Sequence, residues 1–172
     1  PQIAHEYLDK LSKIKVCLFD VDGILTNGQI YWHGEEVGFN RFFHAHDGYG
    51  LKILMKAGIK VGIITGGDSE GVVKRFTQLG VDFLYIGNED KRKALTEVME
   101  RAKVEADEVL YMGDEFFDLP ILTKVGFSAT VPSASFEIRD AVDYITHRDS
   151  GQGCAREVID MLRFAQKIIP DI

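Results

Sequence analysis

Four short apolar runs, separated by amphipathic segments, constrain the fold more than any other feature of this sequence. The apolar runs cover 15–21, 60–65, 82–87 and 108–114. Strands that are buried on both faces of a parallel sheet have this continuous apolar character. The segments between and after them repeat apolar residues at helical spacing, at 48–58, 69–80, 91–104 and 119–126. This alternation predicts an α/β fold, a doubly wound, Rossmann-like parallel sheet flanked by helices.

The same pattern continues to the end of the chain, and a single interruption follows the first strand. We expect two more short strands at 127–131 and 143–147, and a C-terminal helix at 155–169. Segment 24–46 instead holds two β-like runs, QIYW and VGFNRFF, around HGEE, which predicts an inserted β-hairpin. The hairpin carries the only tryptophan and several other aromatic residues, so we expect it to pack against another subunit rather than back on its own domain.

Length and composition favour one globular domain. The 172 residues predict a single domain over 1–172, with the hairpin at about 24–46 and a C-terminal tail and helix at about 148–170. The net charge of −7 and the lack of a Lys/Arg block argue against a nucleic-acid partner. Two cysteines predict neither a disulfide framework nor a zinc site. No stretch has the apolar length of a membrane helix, so we expect a soluble, cytoplasmic protein.

Polar and charged residues stand at or beyond the carboxyl end of each of the four apolar runs. They are Asp20 and Asp22 after the first, Thr65 and Gly66 after the second, Lys91 after the third, and Asp114, Glu115 and Asp118 after the fourth. In doubly wound sheets these strand ends lie at one edge, where ligands bind. One edge would therefore hold several carboxylates, one hydroxyl and one ammonium, a combination that suits phosphoryl transfer.

The spacing suggests a role for each of these groups. Asp20 can attack phosphorus to form an aspartyl phosphate, and Asp22 can serve as general acid and base. Two carboxylates so close together need a cation, and Mg²⁺ prefers oxygen ligands such as Asp20, Asp114 and the backbone carbonyl of Asp22. Thr65, Gly66 and Lys91 can bind the phosphate oxygens.

Each residue also has a structural alternative. Thr65 can close a turn before the glycines, and Lys91 can be a solvated charge at a helix start. Asp118 precedes Leu-Pro, so it can cap a helix. For Glu115 and Asp118 we favour a supporting role over direct metal binding. Asp47 in HDGYG is expected to cap the helix that follows it.

Taken together, the motifs resemble those of the haloacid dehalogenase superfamily of phosphotransferases. The matching stretches are DVDGILT (20–26), IITGG (63–67), Lys91 within GNEDK, and GDEFFD (113–118). The resemblance implies that Asp20 is the nucleophile and Asp22 the acid/base. It also implies that Thr65 and Lys91 bind phosphate and that Asp114 binds Mg²⁺.

A narrower resemblance concerns the substrate. DGILTNG, HDGYGLKIL (46–54) and GQGCAREV (151–158) are similar to stretches of the 3-deoxy-D-manno-octulosonate 8-phosphate phosphatases, which lack a cap domain. The resemblance implies a sugar-phosphate substrate, a role in lipopolysaccharide biosynthesis, and a homotetramer in which hairpins associate and a neighbour's tail helps to close the site. His46, Asp47 and Gly48 then become candidate substrate contacts.

The chain departs from that family at several positions. Gly67, His46 and Gln152 stand where the family commonly has Arg, and the fourth motif reads GDE rather than GDD. Cations that can substitute are Lys74, Arg75, Arg148 and Arg156, although surface or structural roles are favoured for each. A nonulosonate 9-phosphate or another sugar phosphate is therefore an alternative substrate. A receiver-like signalling domain and a catalytically silent regulatory subunit are the alternatives of another class.

Overall fold

The structure is a computed structural model that describes residues 5–171. Its strands are β1 (Val16–Phe19), β2 (Tyr31–Trp32), β3 (Phe39–Asn40), β4 (Lys60–Ile64), β5 (Phe83–Tyr85), β6 (Val109–Met112), β7 (Phe127–Thr130) and β8 (Tyr144–Ile145). Its helices are α1 (Leu8–Leu11), α2 (Ala45–Lys56), α3 (Glu70–Leu79), α4 (Arg92–Ala102), α5 (Leu119–Leu122), α6 (Phe136–Asp140) and α7 (Cys154–Gln166).

Six strands form one parallel sheet, as predicted, and the structure gives their order as β5-β4-β1-β6-β7-β8. Every residue of β1 is buried, because β1 lies between β4 and β6 and helices cover the sheet. Phe19 is in register with Ile63 of β4 and Met112 of β6. The residues after these three strands therefore lie side by side in the middle of one edge.

The predicted hairpin is present, with strands shorter than expected. β2 and β3 pair antiparallel over two residues each, and the His33 backbone N–H donates to the Gly38 carbonyl at 2.9 Å. Trp32 is 58% exposed and Phe42 is 67% exposed, so the aromatic residues of the hairpin are not covered by their own subunit. Within residues 5–171 we find no cap domain over the sheet edge.

The remaining differences from the sequence prediction concern short helices and the ends of longer ones. α2 begins three residues earlier than expected, and α7 ends three residues earlier. α1 and α6, of four and five residues, were not predicted, and α5 ends four residues earlier than expected. Such elements span too few turns to produce a clear apolar period. α3 ends as predicted, with Gly80 in the left-handed conformation. No helix in the described part of the chain combines the length and apolarity needed to cross a bilayer.

Candidate active site

A cleft of about 350 Å³ opens at the carboxyl edge of β1, β4 and β6. It is lined by Asp20, Asp22, Gly23, Gly28, Thr65, Gly66, Gly67, Glu89, Asp114, Glu115 and Phe117. Most of the groups that the sequence placed at strand ends thus surround one cavity. This convergence follows from the parallel sheet, since every strand in it presents its carboxyl end to the same side.

Asp20 is fixed at the floor of the cleft by two donors. It is only 2% exposed, and its Oδ1 accepts from the Val21 backbone N–H at 2.7 Å. Lys91 Nζ lies 3.0 Å from the same oxygen. Lys91 is 1% exposed, so the alternative of a solvated surface charge is wrong. Its ammonium also lies 4.7 Å from the centre of the Phe117 ring, which is a favourable cation–π distance.

Asp118 holds this cluster together through hydrogen bonds to both of its carboxylate oxygens. Its Oδ1 accepts from Lys91 Nζ at 2.7 Å and from the Tyr111 hydroxyl at 2.6 Å. Its Oδ2 accepts the backbone N–H groups of Asp114 and Glu115, at 3.0 and 3.1 Å. The expectation that Asp118 caps α5 is wrong, because its side chain makes no capping bond to that helix. With both oxygens engaged by protein donors, Asp118 supports its neighbours rather than offering a free metal ligand.

Asp114 offers a carboxylate oxygen that can bind the predicted metal ion. Its Oδ1 is buried and has no hydrogen-bond partner in the described structure. Oxygens of Asp20, Asp114 and Asp118 all lie within 4.8 Å of one another. Gly23 makes room for this carboxylate: a Cβ there would lie 1.9 Å from Asp114 Oδ2. An unpaired buried oxygen beside two carboxylates fits a hard divalent cation such as Mg²⁺.

The charge of the cluster changes the acidity of its members. Burial, reinforced by Asp118, raises the pKa of Asp20 to about 8, although Lys91 opposes the shift. Burial and the charges of Asp118 and Glu115 raise the pKa of Asp114 to about 7. Three carboxylates around one ammonium are thus short of positive charge in the metal-free protein. A divalent cation would supply that charge.

Asp22 lies in a different environment at the rim. Its Oδ1 accepts from Arg41 Nε at 2.5 Å, and its Oδ2 accepts from Arg41 Nη2 at 3.0 Å. The third guanidinium nitrogen of Arg41, Nη1, donates to Ser69 Oγ at 2.8 Å. The Asp22 side chain is therefore turned to a cation of the protein. The metal contact expected of its backbone carbonyl stays a prediction.

Thr65, Gly66 and Glu115 line the cleft as well. The Thr65 hydroxyl is buried and accepts from the Gly67 backbone N–H at 3.2 Å, so it closes the turn and faces the cleft at the same time. Glu115 caps its own segment by accepting from the Phe116 N–H at 2.8 Å. Phosphate binding by Thr65, Gly66 and Lys91 is compatible with these positions and stays a prediction.

The candidate substrate contacts His46, Asp47 and Gly48 do not line this cleft. The expectation that Asp47 caps its own helix is wrong, because His44 caps α2. Asp47 is buried, and its Oδ1 accepts from the Arg156 backbone N–H at 2.8 Å, in the first turn of α7. Burial raises the pKa of Asp47 to about 6. Asp47 thus joins two helices, and a contact of these three residues with substrate stays a prediction.

Sequence reasoning missed Arg41 and Tyr111. It proposed four other cations as substitutes, and none of them lines the cleft: Lys74, Arg75, Arg148 and Arg156. Arg41 follows β3 within the aromatic hairpin, a context that suggested subunit packing rather than catalysis. Tyr111 lies inside a strand where any large side chain suits the core. Its single available signal was a hydroxyl in an otherwise apolar run, since a buried hydroxyl needs a partner.

Comparison with known proteins identifies the family of this chain. The sequence model of the haloacid dehalogenase-like hydrolases matches residues 83–158. The 3-deoxy-D-manno-octulosonate 8-phosphate phosphatase of Haemophilus influenzae is 37% identical over 159 residues, which are 91% of this chain and 87% of that protein. The enzyme of the same name from Salmonella typhimurium is 36% identical over 166 residues, 95% of this chain and 87% of that protein.

Solved structures agree with the sequence comparison. The Moraxella catarrhalis phosphatase of that name, crystallised with a magnesium ion, a phosphate ion and a KDO molecule, has a TM-score of 0.90 and 36% identity. The match covers 95% of this chain and 93% of that one. The cobalt-bound Haemophilus influenzae enzyme has a TM-score of 0.87 and 36% identity, with 92% of each chain covered.

Identity above 30% over nearly the whole length decides against the receiver-like alternative. A fold shared with these phosphatases accompanies that identity, and in this chain Asp20, Asp114 and Asp118 cluster at the sheet edge. This chain is a phosphatase, and it belongs to the 3-deoxy-D-manno-octulosonate 8-phosphate phosphatase family of haloacid dehalogenase-like hydrolases.

Proposed function

We propose that this protein hydrolyses 3-deoxy-D-manno-octulosonate 8-phosphate to the free sugar acid and phosphate, with Mg²⁺ and through an aspartyl phosphate. The observation that carries the chemistry is the buried carboxylate of Asp20 facing the cleft beside the unpaired Asp114 oxygen. The substrate is inferred from relatives of that name at 36–37% identity.

In the first step Asp20 acts as the nucleophile. One of its carboxylate oxygens forms a bond to phosphorus while the bond from phosphorus to the sugar oxygen breaks. Asp22 gives its proton to the departing sugar oxygen, so that a neutral hydroxyl leaves. Val21 N–H and Lys91 both hold Asp20 Oδ1, which fixes the carboxylate for attack.

In the second step water releases the phosphate. The Asp22 carboxylate takes a proton from the water as the water oxygen bonds to phosphorus, and the bond from phosphorus to Asp20 breaks. Asp20 returns to its carboxylate form, and Asp22 regains the proton that it lost. Lys91 and Thr65 stand where they can offset the charge on the phosphoryl oxygens during both steps.

The chain offers a suitable holder for the cofactor. Asp20, Asp114 and the backbone carbonyl of Asp22 would hold Mg²⁺, with Asp118 orienting the Asp114–Glu115 segment. When bound, the ion neutralises charge between these carboxylates and the phosphate. The chain's own residues then bind the ester, exclude water and move the proton.

The assembly belongs to the same proposal. We infer a homotetramer formed through the hairpin, because Ile30, Trp32, Phe39 and Phe42 are each at least half exposed and lie close together in sequence. The whole of 1–172 would act as one phosphatase unit, without nucleic-acid or membrane partners. The expected cytoplasmic location stays a prediction.

Phosphate release from a panel of esters tests the proposal. The panel contains 3-deoxy-D-manno-octulosonate 8-phosphate, a nonulosonate 9-phosphate, hexose phosphates and 4-nitrophenyl phosphate, each assayed with Mg²⁺ and with chelator. We expect a strong Mg²⁺-dependent preference for the octulosonate. Activity spread over other sugars would keep the chemistry and reject the substrate. No release from any ester would reject the proposal in favour of a silent subunit.

A further inference from the structure

Arg41 lies at the edge of the cleft, and its whole guanidinium group is hydrogen-bonded. It is 9% exposed although it directly follows a projecting hairpin strand. Three of its guanidinium nitrogens are engaged: Nε and Nη2 by the two oxygens of Asp22, and Nη1 by Ser69 Oγ. A planar guanidinium bonded in this bidentate way fixes the rotation of a carboxylate, which a point charge does not.

The neighbouring backbone leaves space for this guanidinium. A Cβ at Gly67 would lie 3.0 Å from Arg41 Nη2 and 3.5 Å from Asp22 Oδ2. A side chain at 67 would therefore require the Arg41 guanidinium to shift slightly. Gly67 and Asp22 both line the cleft, and Oδ2 is the Asp22 atom nearest to Gly67.

The two hydrogen bonds from Arg41 to Asp22 also differ in length. Nε holds Oδ1 at 2.5 Å, whereas Nη2 lies 3.0 Å from Oδ2. Oδ1 also lies 3.4 Å from the Thr26 hydroxyl, so Oδ2 is the Asp22 oxygen with fewer donors. If Oδ2 carries the proton, Oδ1 can still accept from Nε, so Arg41 can keep its hold on Asp22 while the proton moves.

We propose that Arg41 is a positioning residue for Asp22: its guanidinium holds the carboxyl so that Oδ2 gives the proton to the leaving oxygen and later takes one from water. This inference rests on the proposed function, in which Asp22 is the acid/base. It also connects the hairpin to the chemistry, because Arg41 is the residue after β3 and the seating of the hairpin fixes where the guanidinium lies.

A series of substituted phenyl phosphates separates this role from others. The esters differ in the acidity of the leaving phenol and hardly in size, so their need for a proton donor varies while their contacts do not. In Arg41→Ala we expect kcat/KM to fall about 30-fold for phenyl phosphate and less than about 3-fold for 4-nitrophenyl phosphate. A lost substrate contact or a loosened fold would instead lower all esters by the same factor.

Two further variants, Arg41→Lys and Arg163→Ala, separate the geometry of the guanidinium from its charge and from the general effect of losing a buried arginine. Arg41→Lys keeps a charge without the bidentate geometry, so it should recover only part of the loss. Ethylguanidinium should partly restore Arg41→Ala, and ethylammonium at the same concentration should restore less. Arg163→Ala is the matched control, since Arg163 is also a largely buried arginine paired with a carboxylate, that of Asp160 on α7. It should leave every ester unaffected.

The Arg41→Ala, Asp22→Asn double variant tests directly whether Arg41 acts through Asp22. If Arg41 acts through Asp22, adding Arg41→Ala to Asp22→Asn should change kcat/KM by less than about twofold. Independent, additive losses would overturn the inference, as would a uniform loss over the ester series or phenyl phosphate activity within twofold of wild type in Arg41→Ala. A wild-type protein without any Mg²⁺-dependent phosphatase activity would overturn the proposed function and this inference together.

Discussion

Asp20 and Asp22 stand two residues apart, yet the structure gives them opposite surroundings. Asp20 is buried at the end of the central strand and shares the Lys91 ammonium with Asp118. Asp22 is half-buried at the rim, and its partner is a guanidinium from the hairpin. The sheet core therefore holds one member of the pair, and an insertion holds the other.

This difference matches the two tasks. A nucleophile must keep one position relative to phosphorus, and a core of packed strands provides that rigidity. A proton donor must lose and regain its proton in each cycle, which is easier at a partly exposed site with a polar partner. Substitutions in the core and at the rim test whether the two surroundings have these separate roles.

Replacement of the nucleophile should have the largest effect. Asp20→Asn keeps the shape of the side chain and removes its nucleophilic oxygen, so we expect kcat to fall at least about 1,000-fold. The melting temperature without metal should hardly change at pH 7, because the raised pKa of about 8 keeps Asp20 mostly protonated there. Activity assays and thermal melts check both parts. Near-normal turnover in Asp20→Asn would reject covalent catalysis by this residue.

Among the buried residues of the site, Lys91 should contribute most to the stability of the fold. Lys91→Met leaves Asp20 and Asp118 without their shared cation, so at pH 8 we expect the free energy of unfolding to fall by about 3 kcal/mol. The matched control is Lys93→Met on the same helix, where the lysine is exposed and lies 3.8 Å from Glu97. It should change stability by less than about 0.5 kcal/mol. Equal denaturation midpoints for the two variants would show that Lys91 has no structural role.

Metal binding should depend on pH through the core carboxylates. Without metal the pKa of Asp20 is about 8 and that of Asp114 about 7, so both are partly protonated near neutrality. Mg²⁺ must displace these protons. Its apparent affinity should therefore rise between about pH 6 and 8, by up to about tenfold per pH unit for each proton displaced. Calorimetry in two buffers of different ionisation enthalpy measures the protons released, and none at pH 7 would contradict the account.

The raised pKa values of Asp20 and Asp114 also determine how the stability of the protein depends on pH. A carboxyl whose pKa is raised by folding binds its proton more tightly in the folded state. The stability that it contributes is complete below its unfolded pKa of about 4 and is lost as the pH rises through 7 and 8. Chelator-treated protein should thus lose stability over this range, and saturating Mg²⁺ should reduce the loss. Denaturation curves at several pH values, with and without the ion, check this.

Loss of one supporting hydrogen bond should have the smallest effect. Tyr111→Phe removes a hydroxyl that donates to Asp118 and accepts from Lys91. Since the ring remains and Lys91 still holds Asp118, we expect a loss of about 1 kcal/mol in stability and a modest fall in kcat. Tyr85→Phe on β5 is the control, because its hydroxyl has only a 3.4 Å contact with exposed Arg101. Similar losses in both variants would mean that the Tyr111 hydroxyl is not specifically important.

The sheet and the strand-end groups could be predicted from sequence for one physical reason. Continuous apolar runs identify buried parallel strands, and parallel strands bring their carboxyl ends together, so Asp20, Thr65 and Asp114 were expected at one edge. The burial of Lys91 was harder to foresee, because NEDKRK reads as a solvated stretch. Only the fold shows that this lysine turns inward to meet two carboxylates.

Contacts between distant segments could not be predicted in the same way. Arg41 meets Asp22 across 19 positions, and Asp47 meets the start of α7 across 109. Neither pairing leaves a periodic or local signal, since each depends on how the hairpin and the helices pack on the sheet. Asp47 showed the expected chemistry, a carboxylate at a helix start, but on a different helix.

The most direct test of the central claim is to trap the phosphorylated enzyme. Asp22→Asn should still accept a phosphoryl group from 4-nitrophenyl phosphate, which needs no proton donor, and should release it slowly for want of a general base. Mass spectrometry of rapidly quenched protein should then show one added phosphoryl group, located on Asp20 and absent from the Asp20→Asn, Asp22→Asn double variant. Turnover without any phosphorylated enzyme, or a phosphoryl group on another residue, would contradict the account.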